Sequence, residues 1–169
     1  MSKRKIRCAS HLVPMLTPDR AKYTVKQVVK MIKARGLKFD AIACRGVSGL
    51  LIAPIVAMRL NKSLIVVRKV EYTHSPYVVE GDYGARTYLI LDDFIDKGAT
   101  VRNIARNIYA VNKAARCIGF IAYKRLSWKD SAESFEYQMH CAWWDGHERP
   151  AKFFPSGYNT AVEAETKEV

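Results

Sequence analysis

Cysteine is scarce in this chain and never paired: Cys8, Cys44, Cys117 and Cys141 lie far apart, with no C-x-x-C among them. That spacing argues against a disulfide frame or a zinc site, and Cys44 and Cys117, set in apolar runs, read as reduced, buried thiols. Long hydrophobic runs are missing as well. No segment is long enough to span a bilayer, and the opening "MSKRKIRCAS" holds no apolar stretch of signal length, so the expectation is a cytoplasmic protein with no membrane partner. The chain shows no internal repeat and no low-complexity segment. Acids are few, 16 against 28 Lys and Arg, and the net charge of +12 makes an anion the default partner: a nucleotide, a polyphosphate or a nucleic acid.

What is present fits one compact domain, since 169 residues are too few for two ordinary ones. Thr24 and Gln27 have capping-box spacing, and Val25, Val28, Val29 and Ile32 follow at helical intervals until Arg35-Gly36. "DAIAC" (40–44) predicts a strand, "RGVSG" a glycine-bearing turn, and "LLIAPIVAMRL" a buried helix that tolerates Pro54 only in its first turn. "SLIVVR" (63–68), "TYLILDD" (87–93) and "CIGFIAY" (117–123) predict three more strands, with Val101, Ile104, Ala105 and Ile108 marking one face of an intervening helix. The order strand, helix, strand, long polar loop, strand, helix, strand defines an α/β fold with a mostly parallel sheet covered by helices. Ligands gather at the carboxyl ends of the strands in such sheets, so the turns after Cys44, Arg68 and Asp93 are the places to look. From Leu126 the pattern is less regular; Trp128, Trp143, Trp144, Phe153, Phe154 and Tyr158 there predict either a cap over the site or an edge packed on the core.

The stretch "LILDDFIDKGAT" (89–100) carries the chemistry. A turn with a glycine leading into a helix gathers backbone N–H groups and the Thr100 hydroxyl around one anion, although an ordinary tight connection looks the same. The adjacent Asp92 and Asp93 narrow the choice. Alternate residues of a strand face opposite ways, so one of the two would be buried as a bare charge unless the strand has reached its end. At the edge the pair can accept hydrogen bonds from a sugar diol or hold a hydrated Mg²⁺. Two acids beside a phosphate cradle describe a site for ribose 5-phosphate.

"YLILDDFIDKGAT" resembles the phosphoribosyl-pyrophosphate (PRPP) binding motif of the type I phosphoribosyltransferases, with Lys97 where the family usually has Thr or Ser. The resemblance implies a Rossmann-like core at about 20–125 and a small C-terminal cap at about 126–160, in one domain over 1–169. It assigns Asp92 and Asp93 to the ribose and, through water, to Mg²⁺, and Asp96, Lys97, Gly98, Ala99 and Thr100 to the 5-phosphate. "CRGVSG" is placed like the family's pyrophosphate loop, giving Arg45 and Gly46 that role and implying a cis or otherwise strained peptide between Cys44 and Arg45. "VRKVEYTHS" resembles the lid of the orotate enzymes, adding Arg68, Lys69 and His74 to the pyrophosphate site, with Tyr72 where those enzymes carry a catalytic Lys. The whole of 69–84 is then expected to be a mobile lid.

"IAYKRL" and "PAKFFPSGYN" resemble base-binding segments of the 6-oxopurine enzymes and make Lys124 and Phe153 the base contacts, with Phe153 equally readable as core. Asp96 matches the Asp those enzymes place near the attacking base nitrogen, where it can take up a proton; a bare turn-capping role is its alternative. The implied activity is Mg²⁺-dependent transfer of 5-phosphoribosyl from PRPP to a nucleobase, first of all a 6-oxopurine, with release of pyrophosphate by a homodimeric enzyme of nucleotide salvage. Two rivals remain: a regulator of this fold that binds nucleotide and RNA, which the charge suits but no RNA-binding motif supports, and an orotate-type enzyme, which Tyr72 disfavours.

Overall fold

The computed structural model describes residues 10–69, 75–93 and 99–123. After a 3-10 turn over Ser10–Met15, helix α1 runs Pro18–Ala34, with Thr17 and not Thr24 at its N-cap.

 Helix α1 thus opens at Pro18, not at Thr24. Thr17 is extended (φ −126°, ψ 144°), Pro18 fills the first helical turn where no N–H is needed, and Asp19 faces the positive end of the helix. Thr24 is buried inside the helix, and its hydroxyl donates to Arg20 O at 2.8 Å and to Pro14 O at 3.3 Å instead of capping anything. The predicted stop is correct: Gly36 sits at φ +58°, its N–H donates to Lys33 O and that of Leu37 to Ile32 O.

Strand β1 (Ala41–Arg45) is followed by two helices, where the sequence predicts a turn and one helix. They are α2 (Gly46–Leu50) and α3 (Ala53–Leu60), separated at Leu51-Ile52, with Pro54 in the first turn of α3 as required. Strand β2 (Ser63–Val67) leads to a short strand β3 (Val79–Gly81), then come β4 (Thr87–Asp92), helix α4 (Ala99–Val111) and β5 (Arg116–Ala122).

The sheet order is β3-β2-β1-β4-β5, parallel throughout except for β3, which runs antiparallel to β2. The β3 pairing corrects the expectation of a lid over 69–84. In the described part of that stretch, Arg68 N donates to Val78 O at 2.8 Å and Glu80 stands opposite Val66, so Val79–Gly81 is sheet and not free loop. Gly81 is fixed there by crowding: a Cβ would meet Leu64 O at 2.0 Å, and its φ of +123° suits glycine alone. Residues 70–74 of the expected lid lie outside the described residues.

Alternation along the strands builds two cores. Ala41, Ala43, Tyr88, Ile90, Phe120 and Ala122 face α4 through Val101, Ile104, Ala105 and Ile108. Ile42, Cys44, Leu89, Leu91, Ile121 and Tyr123 face the other way, toward Val25, Val28 and Ile32 of α1 and Ala53 and Val56 of α3. The result is a helix–sheet–helix sandwich whose central strands are buried on both faces, as parallel strands must be. Beside β4, strand β5 carries one extra residue: Tyr88 stands opposite Cys117, but Leu89 stands opposite Gly119. At the amino edge of the sheet, Asp40 Oδ2 accepts hydrogen bonds from Arg86 N, Thr87 N and Thr87 Oγ1 at 2.9–3.0 Å, locking the start of β4 to the entry of β1. No described helix is long and apolar enough to cross a membrane.

Candidate functional site

The carboxyl edge of the sheet gathers the ends of β1, β2 and β4. The register pairs Arg45 with Val67 and Asp92 with Ala122, so the chain leaves the sheet at one level on adjacent strands. Asp92 and Asp93 stand there, only 4% and 6% exposed, the two buried acids among the described residues. Asp92 Oδ1 accepts from Ser48 Oγ at 2.7 Å and from the backbone N–H of Asp93 at 2.9 Å. Burial pushes the Asp92 carboxyl up to about 6; the two hydrogen bonds pull it down, and the negative charge of Asp93 pushes it up again. Its ionisation at neutral pH therefore costs the fold stability, which a positive charge or hydroxyl donors supplied by a ligand would offset.

Helix α2 carries Ser48 to this place, and the reason lies in its glycines. Gly46 takes φ +65° directly after the extended Arg45, a conformation that turns the chain from β1 into the helix without a linker. Gly49 lies on the strands, where a Cβ would stand 2.8 Å from Cys44 Cβ and 3.3 Å from Leu91 O. No larger residue would let α2 settle so low. Tyr123, at the end of β5 and fully buried, fixes the helix from beneath by donating its hydroxyl hydrogen to Ser48 O at 3.0 Å. Burial raises the Tyr123 hydroxyl far above its ordinary value, with Asp93 and Asp92 adding to the rise, so it stays protonated and a donor. The Cys44 thiol is pushed up to about 12 by burial first and Asp92 second, and is inert as a nucleophile at neutral pH.

The expected pyrophosphate residues separate into two groups. Lys69 lies against the β1 turn: a Cβ on Gly46 would stand 3.0 Å from Lys69 Cε and 3.5 Å from its Nζ. Arg45 adds a donor, since its Nε is buried with no hydrogen-bond partner. Arg68 goes elsewhere; its guanidinium pairs with Glu80 of β3 at 2.9 Å. Glu80 is held below the usual carboxylate range by a hydrogen bond from Ser75 first and by Arg68 second. The cis peptide is not found: the Cys44–Arg45 bond is trans, and the unusual backbone is one residue later, at Gly46. Ala99 and Thr100 open α4, joined to Asp93 by residues 94–98. Asp96, Lys97, Gly98, His74, Lys124 and Phe153, like the expected cap at 126–160, lie outside the described residues.

A hydrated divalent cation fits Asp92 and Asp93 in kind, since both offer hard oxygen ligands at the carboxyl edge of the sheet. Among the described residues no cluster of three or more His, Cys, Asp or Glu forms.

The sequence matches no protein-family model and no curated protein. The fold does have counterparts among solved structures. An adenine phosphoribosyltransferase from Thermoanaerobacter pseudethanolicus is similar at TM-score 0.50 and 21% identity, over 62% of this chain and 67% of that one. A UMP synthase from Leishmania donovani gives 0.52 and 23% over 66% of this chain and 23% of the other; an orotate phosphoribosyltransferase from Francisella tularensis gives 0.53 and 15% over 64% and 53%. The matched region thus falls short of two thirds of the UMP synthase and of the orotate enzyme. The chain has the type I phosphoribosyltransferase fold, a mostly parallel sheet with helices on both faces.

Proposed function

We propose that the chain is a phosphoribosyltransferase that moves the 5-phosphoribosyl group from PRPP to a nucleobase. One observation carries the reading: two adjacent carboxylates are buried at the carboxyl end of β4, with Asp92 hydrogen-bonded to Ser48 of the helix that follows the Gly46 turn. Two acids side by side at a strand end offer the oxygens that accept from a ribose diol and hold a hydrated cation, and that cation offsets their mutual repulsion. The fold counterparts support the same class. In this reading Asp92 and Asp93 hold the ribose hydroxyls, Lys69 and the buried Nε of Arg45 face the pyrophosphate, and the start of α4 with Thr100 takes the 5-phosphate.

In the reaction a base nitrogen bonds to C1 while the C1–O bond to pyrophosphate breaks, the bonding pair leaving with the pyrophosphate; the nitrogen proton passes to a base, a role proposed for Asp96. Magnesium, when bound, supplies charge neutralisation to the leaving pyrophosphate. The chain's own share is to position the sugar and to surround the leaving group with donors. A 6-oxopurine is the proposed acceptor, on the strength of Asp96 and Lys124 in the sequence.

The test is pyrophosphate release from PRPP and Mg²⁺ with hypoxanthine, guanine, xanthine, adenine or orotate in turn. Turnover with a 6-oxopurine, lost in the Asp92→Asn/Asp93→Asn double variant, is the expected outcome. Turnover with adenine or orotate alone overturns the choice of acceptor. No turnover with any base, together with no calorimetric binding of PRPP, overturns the class.

A further inference from the structure

Helix α1 and helix α3 leave an open groove of about 1130 Å³ on the outer face of the sandwich, away from the carboxylates. Its floor is apolar, made by Ala21, Val25, Val29 and Ile55, and every charged residue around it is a cation: Lys22, Lys26, Lys30 and Lys33 on α1 and Arg59 on α3. One turn beyond Ile55, Met58 is 73% exposed, which extends the apolar ledge past the groove. The four lysines recur at intervals of four, four and three, and so follow one stripe of the helix. From Lys22 to Lys33 that stripe is about 16 Å long, or roughly three helical turns.

We propose that this groove docks an acidic amphipathic helix of a partner protein, its apolar stripe on the valine floor and its carboxylates against the lysine wall of α1 and Arg59 of α3. Charge complementarity and shape select this occupant over the alternatives. A nucleic acid would use the cations but would find no aromatic side chain to stack on and no neutral amide or hydroxyl to read a base edge. An anionic bilayer is flat and cannot enter a concave floor, whereas a helix lays its apolar face into a groove. A second copy of the chain placing the same face here would set lysines against lysines.

The probe is a fluorescein-labelled peptide of about four helical turns with Leu along one stripe and Glu on both sides of it, measured by anisotropy against the full chain. A second peptide has the same composition with the leucines scattered around the helix. The first peptide is expected to bind at least about tenfold tighter than the second, a difference near 1.4 kcal/mol, and to lose at least as much with Lys26→Glu/Lys30→Glu and with Val29→Asp. Both lysines are exposed, so the double variant should melt like the parent and keep the test readable if Val29→Asp unfolds. Equal binding of the two peptides overturns the proposal, as does a double variant that binds like the parent. So does tighter binding of a uridine dodecamer or of phosphatidylserine vesicles, if the same variants abolish it. A gain of at least tenfold on removing residues 160–169, whose "TAVEAETKEV" carries three glutamates, would assign the groove to the chain's own tail and likewise overturn a partner in trans.

Discussion

Replacing Asp92 by Asn should stabilise the ligand-free protein while destroying its affinity for the phosphoribosyl group. In an unfolded chain the carboxyl titrates near 3.9, and in the fold burial pushes it up to about 6. The folded state therefore holds the proton more tightly than the unfolded state. The contribution of Asp92 is favourable below the unfolded value and is lost as pH rises from about 4 through about 6. At pH 7.5 the loss amounts to about 3 kcal/mol, being two units at about 1.4 kcal/mol each. Asparagine is nearly the same shape, keeps an oxygen for Ser48 Oγ and Asp93 N, and carries no charge to desolvate. Thermal melts of the ligand-free protein should show the variant higher by roughly 6–12 °C at pH 7.5 and level with the parent at pH 4. Calorimetry with PRPP and Mg²⁺ should show binding weakened at least about a hundredfold, the scale of a lost charged contact. A variant less stable than the parent at pH 7.5, with the same pH slope, would refute the claim that the buried Asp92 charge costs the fold stability.

Three further outcomes test the supports of the site. Ser48→Ala removes a hydrogen bond to a buried carboxylate, so it should cost about 1.5–3 kcal/mol of stability and move the Asp92 titration upward; Ser48→Thr, which keeps the hydroxyl, should restore that titration in carboxylate-detected NMR. Gly81→Ala forces a Cβ into Leu64 O and should free β3, seen as hydrogen exchange at the amides of Glu80 and Asp82, which face β2, rising by more than about tenfold, a local opening easier by some 1.4 kcal/mol, while the amides of β1 stay protected. Asp40→Ala cuts three hydrogen bonds at the far end of the sheet and should lower the melting temperature with PRPP affinity unchanged. Three bonds from Thr87 and Arg86 hold the Asp40 carboxyl below its ordinary value, so its contribution is present above about 4 and fades as pH falls; loss of ligand affinity in this variant would mean the two edges are coupled.

The four parallel strands were legible because burial on both faces writes continuous apolar runs such as "AIAC" and "YLIL". Strand β3 was not: its three residues, Val-Glu-Gly, are strand only because β2 offers an edge, and Gly81 argues for a turn when read alone. The start of α1 was misread because Thr24 and Gln27 have the spacing of a cap, although Thr17-Pro18-Asp19 holds the proper signal, a β-region residue, a proline in the first turn and an acid. Asp92 and Asp93 stood out as acids where a strand should be apolar. Ser48 and Tyr123 did not, because one reads as part of a glycine turn and the other as the end of a strand. Their contact spans 75 positions, and nothing local marks a hydroxyl that will meet a carbonyl from another strand. Arg68 shows the converse: its neighbours in sequence suggested an anion, and its partner in space is Glu80.

The extra residue in β5 bears on which changes of length this strand can absorb. In a regular strand Cys117 and Tyr123, six positions apart, would point into the same layer; with one residue bulged out beside Tyr88 and Leu89 they point into opposite layers, Cys117 toward α4 and Tyr123 beneath α2. β5 thus holds one residue of slack. Deleting Ile118 would flatten the strand yet leave Leu89 opposite Gly119 and Asp92 opposite Ala122, so Tyr123 would still arrive under Ser48. One more residue inserted after Gly119 has no such reserve to draw on: the strand would have to bulge twice or deliver Tyr123 to the wrong side of the sheet, and the helix bearing Ser48 would lose the hydroxyl beneath it.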